Sequence, residues 1–328
     1  MNGNGTPQVV TVGSMAIDSI RTPAGEAPNC LGGAAVHGSL AASFFARVGL
    51  VGVVGRDYPN EAISMLEGRG IDLAGVQRAE GETFFWKGYY EYDMGEAHSE
   101  ETRLNVFADF QPQLPEAYRS APYVFLANIH PALQLSVLEQ VEKPRLTMAD
   151  TMNFWISGEK DALTEVVKRV DVFFVNDAEA RQYTGAMNLV QAARDILDLG
   201  PRSVIIKKGA HGAVMFTRDA DDEGPLGMSY FSAPSFPLSA LTDPTGAGDS
   251  FAGGFIGHIA RTGDISEANM RRAIIHGSVM ASFNVEDFSV RRVSRLTPDE
   301  IRARYRAFQR IVHFEALEDL EVVGPASD

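Results

Sequence analysis

Six short apolar runs, rich in β-branched and aromatic residues, recur along the chain: VVTVG from Val9, LVGVVG from Leu50, YVFLA from Tyr123, RLTMA from Arg145, DVFFV from Asp171 and SVIIK from Ser203. Stretches with helical spacing lie between or after them, at 34–46, 131–141, 159–169, 188–199, 247–261 and 267–283. Strands apolar on both faces need cover on both, and each crossover helix packs back on the sheet it leaves. The alternation therefore asks for an α/β fold built on a doubly wound, mostly parallel sheet. One region breaks the rhythm. TFFWKGYYEYDMGEAHSEETRLNVF, residues 83–107, reads as strands around a turn at Gly95, a small β insertion. No repeat or interdomain linker divides the chain. The loose segments are the N-terminal MNGNGTPQ, the loop 218–227 and the last few residues.

With 328 residues and 45% apolar content, the chain can bury a substantial core. Lys+Arg 29 against Asp+Glu 43 leaves a net charge of −14, which repels phosphate backbones and anionic lipid. Neither nucleic acid nor membrane is an expected partner. The N-terminus lacks a basic, then apolar, leader, and Arg47 interrupts the most apolar stretch, so a soluble cytoplasmic protein is expected. Cys30 stands alone and excludes an internal disulfide, while the seven histidines show no paired ligand spacing, so no protein-bound zinc is expected.

The densest local signal is DPTGAGDSFAGGF, residues 243–255, with four glycines and two aspartates. A dinucleotide fingerprint starting at Gly246 would need a third glycine where Phe251 stands, and a P-loop would need a lysine after a glycine. A flexible linker is excluded by Phe251, Phe255 and Ile259, which recur at helical spacing. An anion cradle survives: Gly246, Ala247 and Gly248 can turn successive N–H groups toward one spot at a helix start. Asp249 beside such a cradle is either a helix cap or a base that takes a proton from an attacking hydroxyl.

At these residues the chain resembles the ribokinase-like, or PfkB, carbohydrate kinase family, whose signature reads D-x-T/N-G-A-G-D. LGGAAVHGSLAASFFARVGLVGVVGRD, from Leu31, resembles the family's paired-glycine segment followed by a helix, a strand and G-x-D. The resemblance runs from GSMAID at Gly13 to the helix after Glu267. It implies a single ribokinase-like domain over 1–328, with a β-sheet lid contributed by about 14–36 and 81–108. It also implies an ATP- and Mg2+-dependent phosphotransferase that phosphorylates an alcohol of a sugar or sugar-like molecule.

By the same resemblance Asp249 is the base, and the amides of Gly246, Ala247 and Gly248 hold the γ-phosphate. Asp18 of GSMAID accepts hydrogen bonds from substrate hydroxyls, Gly32 and Gly33 let backbone approach the acceptor, and His37 and Asn153 complete the acceptor site. Asn176 and Glu179 of NDAE match the family's N-x-x-E, which organises Mg2+ through water; alone, the same four residues are an ordinary capping box. Lys207, Gly209 and Gly212 of IKKGAHGAVMF fall in the ATP site, although a lysine there is equally a solvated strand end. Asp243 and Thr245 stand where the family often forms a monovalent-cation site, for K+.

Two departures bear on the acceptor. His37 stands where the family often has Asn, and ADTMNFWISG, from Ala149, lacks the arginine of keto-sugar-acid kinases, which argues against an acidic acceptor. Phe84, Phe85, Trp86, Tyr89, Tyr90 and Tyr92 crowd the lid, and strand alternation sends Phe84, Trp86 and one or two tyrosines to one face. One face can close over the site while the other packs against the core or in a homodimer. Cations there are few, chiefly Arg21, Lys87 and Arg103, so a neutral acceptor is expected, a free sugar ahead of a nucleoside. The alternatives are an adenosine-type nucleoside kinase of the same family, a catalytically silent sugar-binding protein and, more distantly, a Rossmann oxidoreductase.

Overall fold

The computed structural model describes residues 6–218 and 227–313, so most of the three loose segments lie outside the described residues. Its strands are β1 (Val9–Val12), β2 (Ala16–Thr22), β3 (Gly25–Gly32), β4 (Val48–Val54), β5 (Asp72–Arg78), β6 (Phe84–Tyr90), β7 (Ala97–Arg103), β8 (Tyr123–Leu126), β9 (Leu146–Ala149), β10 (Val172–Asn176), β11 (Ser203–Lys207), β12 (Ala213–Thr217) and β13 (Ser229–Ala233). Nine form one sheet in the order β13-β12-β11-β10-β9-β8-β1-β4-β5. From β11 to β5 the pairing is parallel; β12 and β13 extend that edge as an antiparallel meander.

Period-two alternation divides the apolar runs between two cores. Val172, Phe174 and Ile205 face the helices Ala34–Ala42, Ala247–Thr262, Glu267–Asn284 and Pro298–Val312. Phe173, Val175, Val204 and Ile206 face Pro131–Gln140, Lys160–Val167, Asp177–Thr184 and Leu189–Leu197. Phe255, Ile256 and Ile259 are fully buried, each side chain contributing about 1.5–3 kcal/mol by leaving water. This is the doubly wound arrangement expected from the sequence.

The chain leaves β1 toward β4 and β5 on one side, then returns at β8 and builds the other half outward. The reversal lies between β1 and β8, and ligands of open α/β sheets bind beyond the carboxyl ends of the strands at such a point. A second sheet, ordered β3-β2-β6-β7, grows out of that end, because β2 follows β1 after only three residues. Its β2–β6 pairing is parallel and its outer pairs are antiparallel. On β2 the side chains of Ala16, Asp18, Ile20 and Thr22 are buried, whereas Arg21 is exposed. Trp86 and Tyr90 pack with Ile20, Ala27, Cys30 and Phe288. Among the described residues no helix is long and apolar enough to cross a membrane.

Candidate active site

The carboxyl ends of three neighbouring strands bring together residues far apart in sequence. Asn176 ends β10 and is the register partner of Lys207 at the end of β11; Asp150 directly follows β9 on the other side of β10. Lys207 Nζ donates to Asp150 Oδ2 at 2.6 Å, with Asp150 almost wholly buried. The same ammonium lies against the glycine loop, since a Cβ added at Gly248 would sit 3.1 Å from it.

Gly246 adopts φ 75° and precedes the helix Ala247–Thr262 with no side chain capping the first turn. Only glycine fits there: φ is left-handed, and a Cβ would overlap the His37 ring. Ala247 donates its N–H to Pro244 O at 3.1 Å, which departs from the three-amide cradle expected. Closing the Pro244 turn uses that donor and leaves the Gly246 and Gly248 amides for an anion.

The loop is held from behind. Asn284 Nδ2 donates to Thr245 O at 2.7 Å, and Asn284 Oδ1 accepts from Ser250 Oγ at 3.0 Å. His37 Nδ1 lies 2.9 Å from the same Oδ1. An amide oxygen only accepts, so the network assigns the proton to Nδ1 and leaves the lone pair on Nε2. That Nε2 is buried and has no partner among the described residues, and burial lowers the His37 pKa, which keeps the ring neutral. Asp243 accepts from Thr245 N and Ser289 N, both at 2.8 Å, and Thr245 Oγ1 donates to Tyr90 OH at 3.2 Å, which ties the small sheet to the loop.

Asp18 lies on the inner face of β2 against Gly32, where an added Cβ would overlap its carboxylate. Burial, then the charges of Asp243 and Asp249, push the Asp18 carboxyl up to about 8. Asp249 is half-buried, and burial followed by the Asp150 charge pushes it up to about 7, against the opposing pull of Lys207. Burial also raises Glu179 to about 7, with Lys207 opposing. Burial works against the Lys207 charge, yet Asp150, Glu179 and Asp249 together hold its pKa above the ordinary value. Raised carboxyls beside a buried cation can exchange a proton near neutral pH while the cation faces an incoming anion.

Asn176 and Glu179 do form a capping box: Glu179 N donates to Asn176 Oδ1 and Asn176 N to Glu179 Oε2, both at 2.7 Å. Glu179 Oε1 takes no part in it. Gly209 and Gly212 bracket one 3-10 turn between β11 and β12, next to Lys207, and Gly33 enters the helix Ala34–Ala42 with φ 100°. Asn153 is not brought into the group. It is exposed, and its carbonyl accepts from Ser157 and from Gln182 on the flank of the helix Asp177–Thr184. The chain turns outward after Thr151, which separates Asn153 from Asp150.

Asp150, Asn284 and Tyr90 join the site without having been assigned to it. Asp150 carried a usable signal, an acid directly after an apolar strand. Arg21 and Lys87 instead pair with Glu100 at 2.6 and 2.9 Å, and Arg103 pairs with Glu101 at 3.2 Å and Glu82 at 3.4 Å. Arg103 also lies over Phe85 and Arg21 over Tyr89, on the face of the small sheet away from Trp86 and Tyr90. Phe84 packs on Phe107, and Tyr92 is exposed.

A doubly wound sheet, a glycine loop opening a helix and a carboxyl poised in its first turn define a phosphoryl-transfer class of α/β protein. The chain matches the pfkB family carbohydrate kinase profile over residues 8–295 and belongs to that family. A cytidine kinase of Thermococcus kodakarensis is 31% identical over 264 residues, 79% of this chain and 91% of the relative. An ATP-dependent ribose-1-phosphate kinase of Halopiger xanaduensis is 29% identical over 230 residues, 67% of this chain and 70% of the relative. Among solved structures, the nucleoside kinase of Methanocaldococcus jannaschii, an archaeal member of the ribokinase family, superposes with a TM-score of 0.72 at 20% identity, covering 93% of this chain and 100% of that one. The fold is ribokinase-like.

Proposed function

We propose that this protein transfers the γ-phosphoryl group of ATP to a hydroxyl of a neutral, sugar-bearing acceptor, a nucleoside ahead of a free sugar. The observation that carries the reading is Asp249, a carboxyl raised to about 7 in the first turn of a helix whose Gly246 and Gly248 amides are left for an anion. Asp249 takes the proton of the attacking hydroxyl. That oxygen bonds to the γ-phosphorus as the bridging P–O bond breaks, and ADP departs. The Gly246 and Gly248 amides and the Lys207 ammonium meet the charge on the transferring group.

Asp18 accepts hydrogen bonds from acceptor hydroxyls, and His37 Nε2 supplies a further lone pair for one of them. Gly32 and Gly33 bring backbone close to the acceptor, Gly209 and Gly212 line the nucleotide side, and the small sheet is the lid that excludes water. The lid and the large sheet act as one domain, and the lid's outer face is where a second copy of the chain would pack. Mg2+ bound with ATP neutralises phosphate charge, and Glu179 and Asn176 would order it through water, Oε1 of Glu179 being outside the cap. Asp243 and Thr245 hold the loop together through Ser289 N and Tyr90 OH, and any K+ bound beside them would act on the shape of the loop. A lone cysteine, buried, and the use of ATP fit the cytoplasm.

The free sugar favoured from sequence gives way to a nucleoside on the strength of the relative named cytidine kinase, 91% of which the chain covers. A phosphosugar is disfavoured because Arg21, Lys87 and Arg103 are engaged by glutamates rather than converging as a clamp. Coupled ADP release should be measured over cytidine and other nucleosides, ribose, fructose, fructose 6-phosphate and ribose 1-phosphate. The highest kcat/KM is expected on a nucleoside. A phosphosugar in first place would overturn the neutral acceptor, and no turnover on any of them would overturn the kinase reading.

A further inference from the structure

Far from the glycine loop, the C-terminal end of the helix Ala247–Thr262 forms one wall of a second cavity, of about 130 Å3. Arg261 stands fifteen residues beyond Gly246, about 22 Å along the helix at 1.5 Å per residue. Arg302 and Arg306, from the helix Pro298–Val312, face the same space, with Phe45, His276 and Tyr305. The aromatic wall is a continuous stack of rings. His276 stacks on His258 at 4.2 Å and on Tyr305 at 4.4 Å, and Phe45 meets the His276 ring edge-on at 5.2 Å.

Those rings add no charge. Burial, His258 and Arg261 press the His276 pKa down to about 3, and burial lowers that of His258. The positive charge of the cavity is that of the three guanidinium groups. Several arginines of this acidic chain have carboxylate partners: Arg292 binds Glu286 and Glu300, Arg304 binds Glu286, and Arg295 binds Asp287. In the cavity Arg302 reaches Asp299, but Arg261 and Arg306 have no ion-pair partner among the described residues. Two guanidinium-bearing side chains without an ion pair among the described residues line one concavity beside a third, in a protein of net charge −14, and together they offer a place for a small anion. Its size sets the limit. Sites for drug-sized ligands hold about 300–1,000 Å3, so this one takes a head group and leaves any remainder in solvent.

We propose that this cavity is a second ligand site, distinct from the glycine loop, that binds a tetrahedral phosphate: inorganic phosphate or the phosphoryl head of a phosphate monoester. Arg261 and Arg306 grip the oxygens, Arg302 shares its charge between Asp299 and the ligand, and the Tyr305–His276 stack forms the floor. The site stands whether or not the acceptor proposed above is correct.

The test reads the histidine rings by NMR in the full-length protein, because His276 lines the cavity and reports it directly. Inorganic phosphate and ribose 5-phosphate are titrated separately, with chloride at matched ionic strength as the control. A saturable shift of the His276 and His258 resonances is expected in the millimolar range, lost in the Arg261→Gln/Arg306→Gln protein that retains parental turnover and melting temperature. A response to phosphate alone identifies the inorganic ion as sufficient; a response only to ribose 5-phosphate identifies an ester as the ligand. No shift with either, an equal shift with chloride, or an undiminished shift in the double variant would overturn the proposal.

Discussion

Lys207 and Asp150 lie 57 residues apart in sequence, yet Lys207 Nζ donates to Asp150 Oδ2 at 2.6 Å in a pair almost closed to solvent. Such a pair is weak evidence for stability, because desolvation offsets most of the attraction. Its effect on its neighbours is the more informative one: Asp150 raises Asp249 and Glu179, and Lys207 lowers both.

That arrangement predicts a pH profile. Asp249 must be ionised to take a proton, and its carboxyl is raised to about 7, so kcat/KM should fall about tenfold per pH unit below neutrality. Asp150→Asn removes a negative charge that disfavours the Asp249 anion. The anion becomes easier to form, and the acid limb should move to lower pH. A purely structural role for Asp150 would lower the plateau and leave the limb in place; a limb that stays or moves upward contradicts the coupling.

Asp249→Asn keeps size and hydrogen bonding but removes the base, so kcat should drop about 100-fold or more. The acceptor KM should change little, since the residue acts on the proton in flight. Turnover close to the parent's, measured on the preferred acceptor, would return Asp249 to the role of a helix-start residue.

Glu179 has two tasks that one substitution separates. Glu179→Gln retains an oxygen to accept from Asn176 N, so the cap and the melting temperature should hold. The lost charge should raise the Mg2+ concentration for half-maximal rate about tenfold, the scale for a residue acting through a metal's waters. An unchanged Mg2+ dependence would leave only the cap.

The fold was legible because the central strands are apolar on both faces and their helices strongly periodic. The sequence pattern does not mark β5, because DLAGVQR is an edge strand whose one buried position is Gly75, nor the helix Asp177–Thr184, because DAEARQYT has few apolar residues. Within the site, local motifs led to Asp249, Gly246 and Asp18, whose neighbours in sequence share their task. Asn284 had no such signal: it ends a helix and meets His37 across 247 residues, a contact that exists only once three elements have packed. Asp150 was visible after its strand, but the binding role was given to Asn153, three residues on, where the chain has already turned to solvent.

His37 gives the sharpest test of the acceptor. Its Nδ1–H is committed to Asn284, and Nε2 is a buried lone pair without a partner among the described residues. An unsatisfied buried acceptor costs about 1–3 kcal/mol, so a substrate hydroxyl that donates to it recovers that loss on binding. His37→Phe keeps a ring for Gly246 to pack against and removes both nitrogens. The acceptor KM should rise about tenfold, the equivalent of one hydrogen bond near 1.4 kcal/mol, while the KM for ATP stays unchanged. Monodeoxy analogues of the preferred acceptor then locate the partner. The analogue lacking the donating hydroxyl should bind the parent and His37→Phe enzymes equally, whereas every other analogue should still distinguish them. If both KM values rise together, or if all analogues lose affinity alike, His37 serves only to prop the glycine loop, and Nε2 does not meet the acceptor.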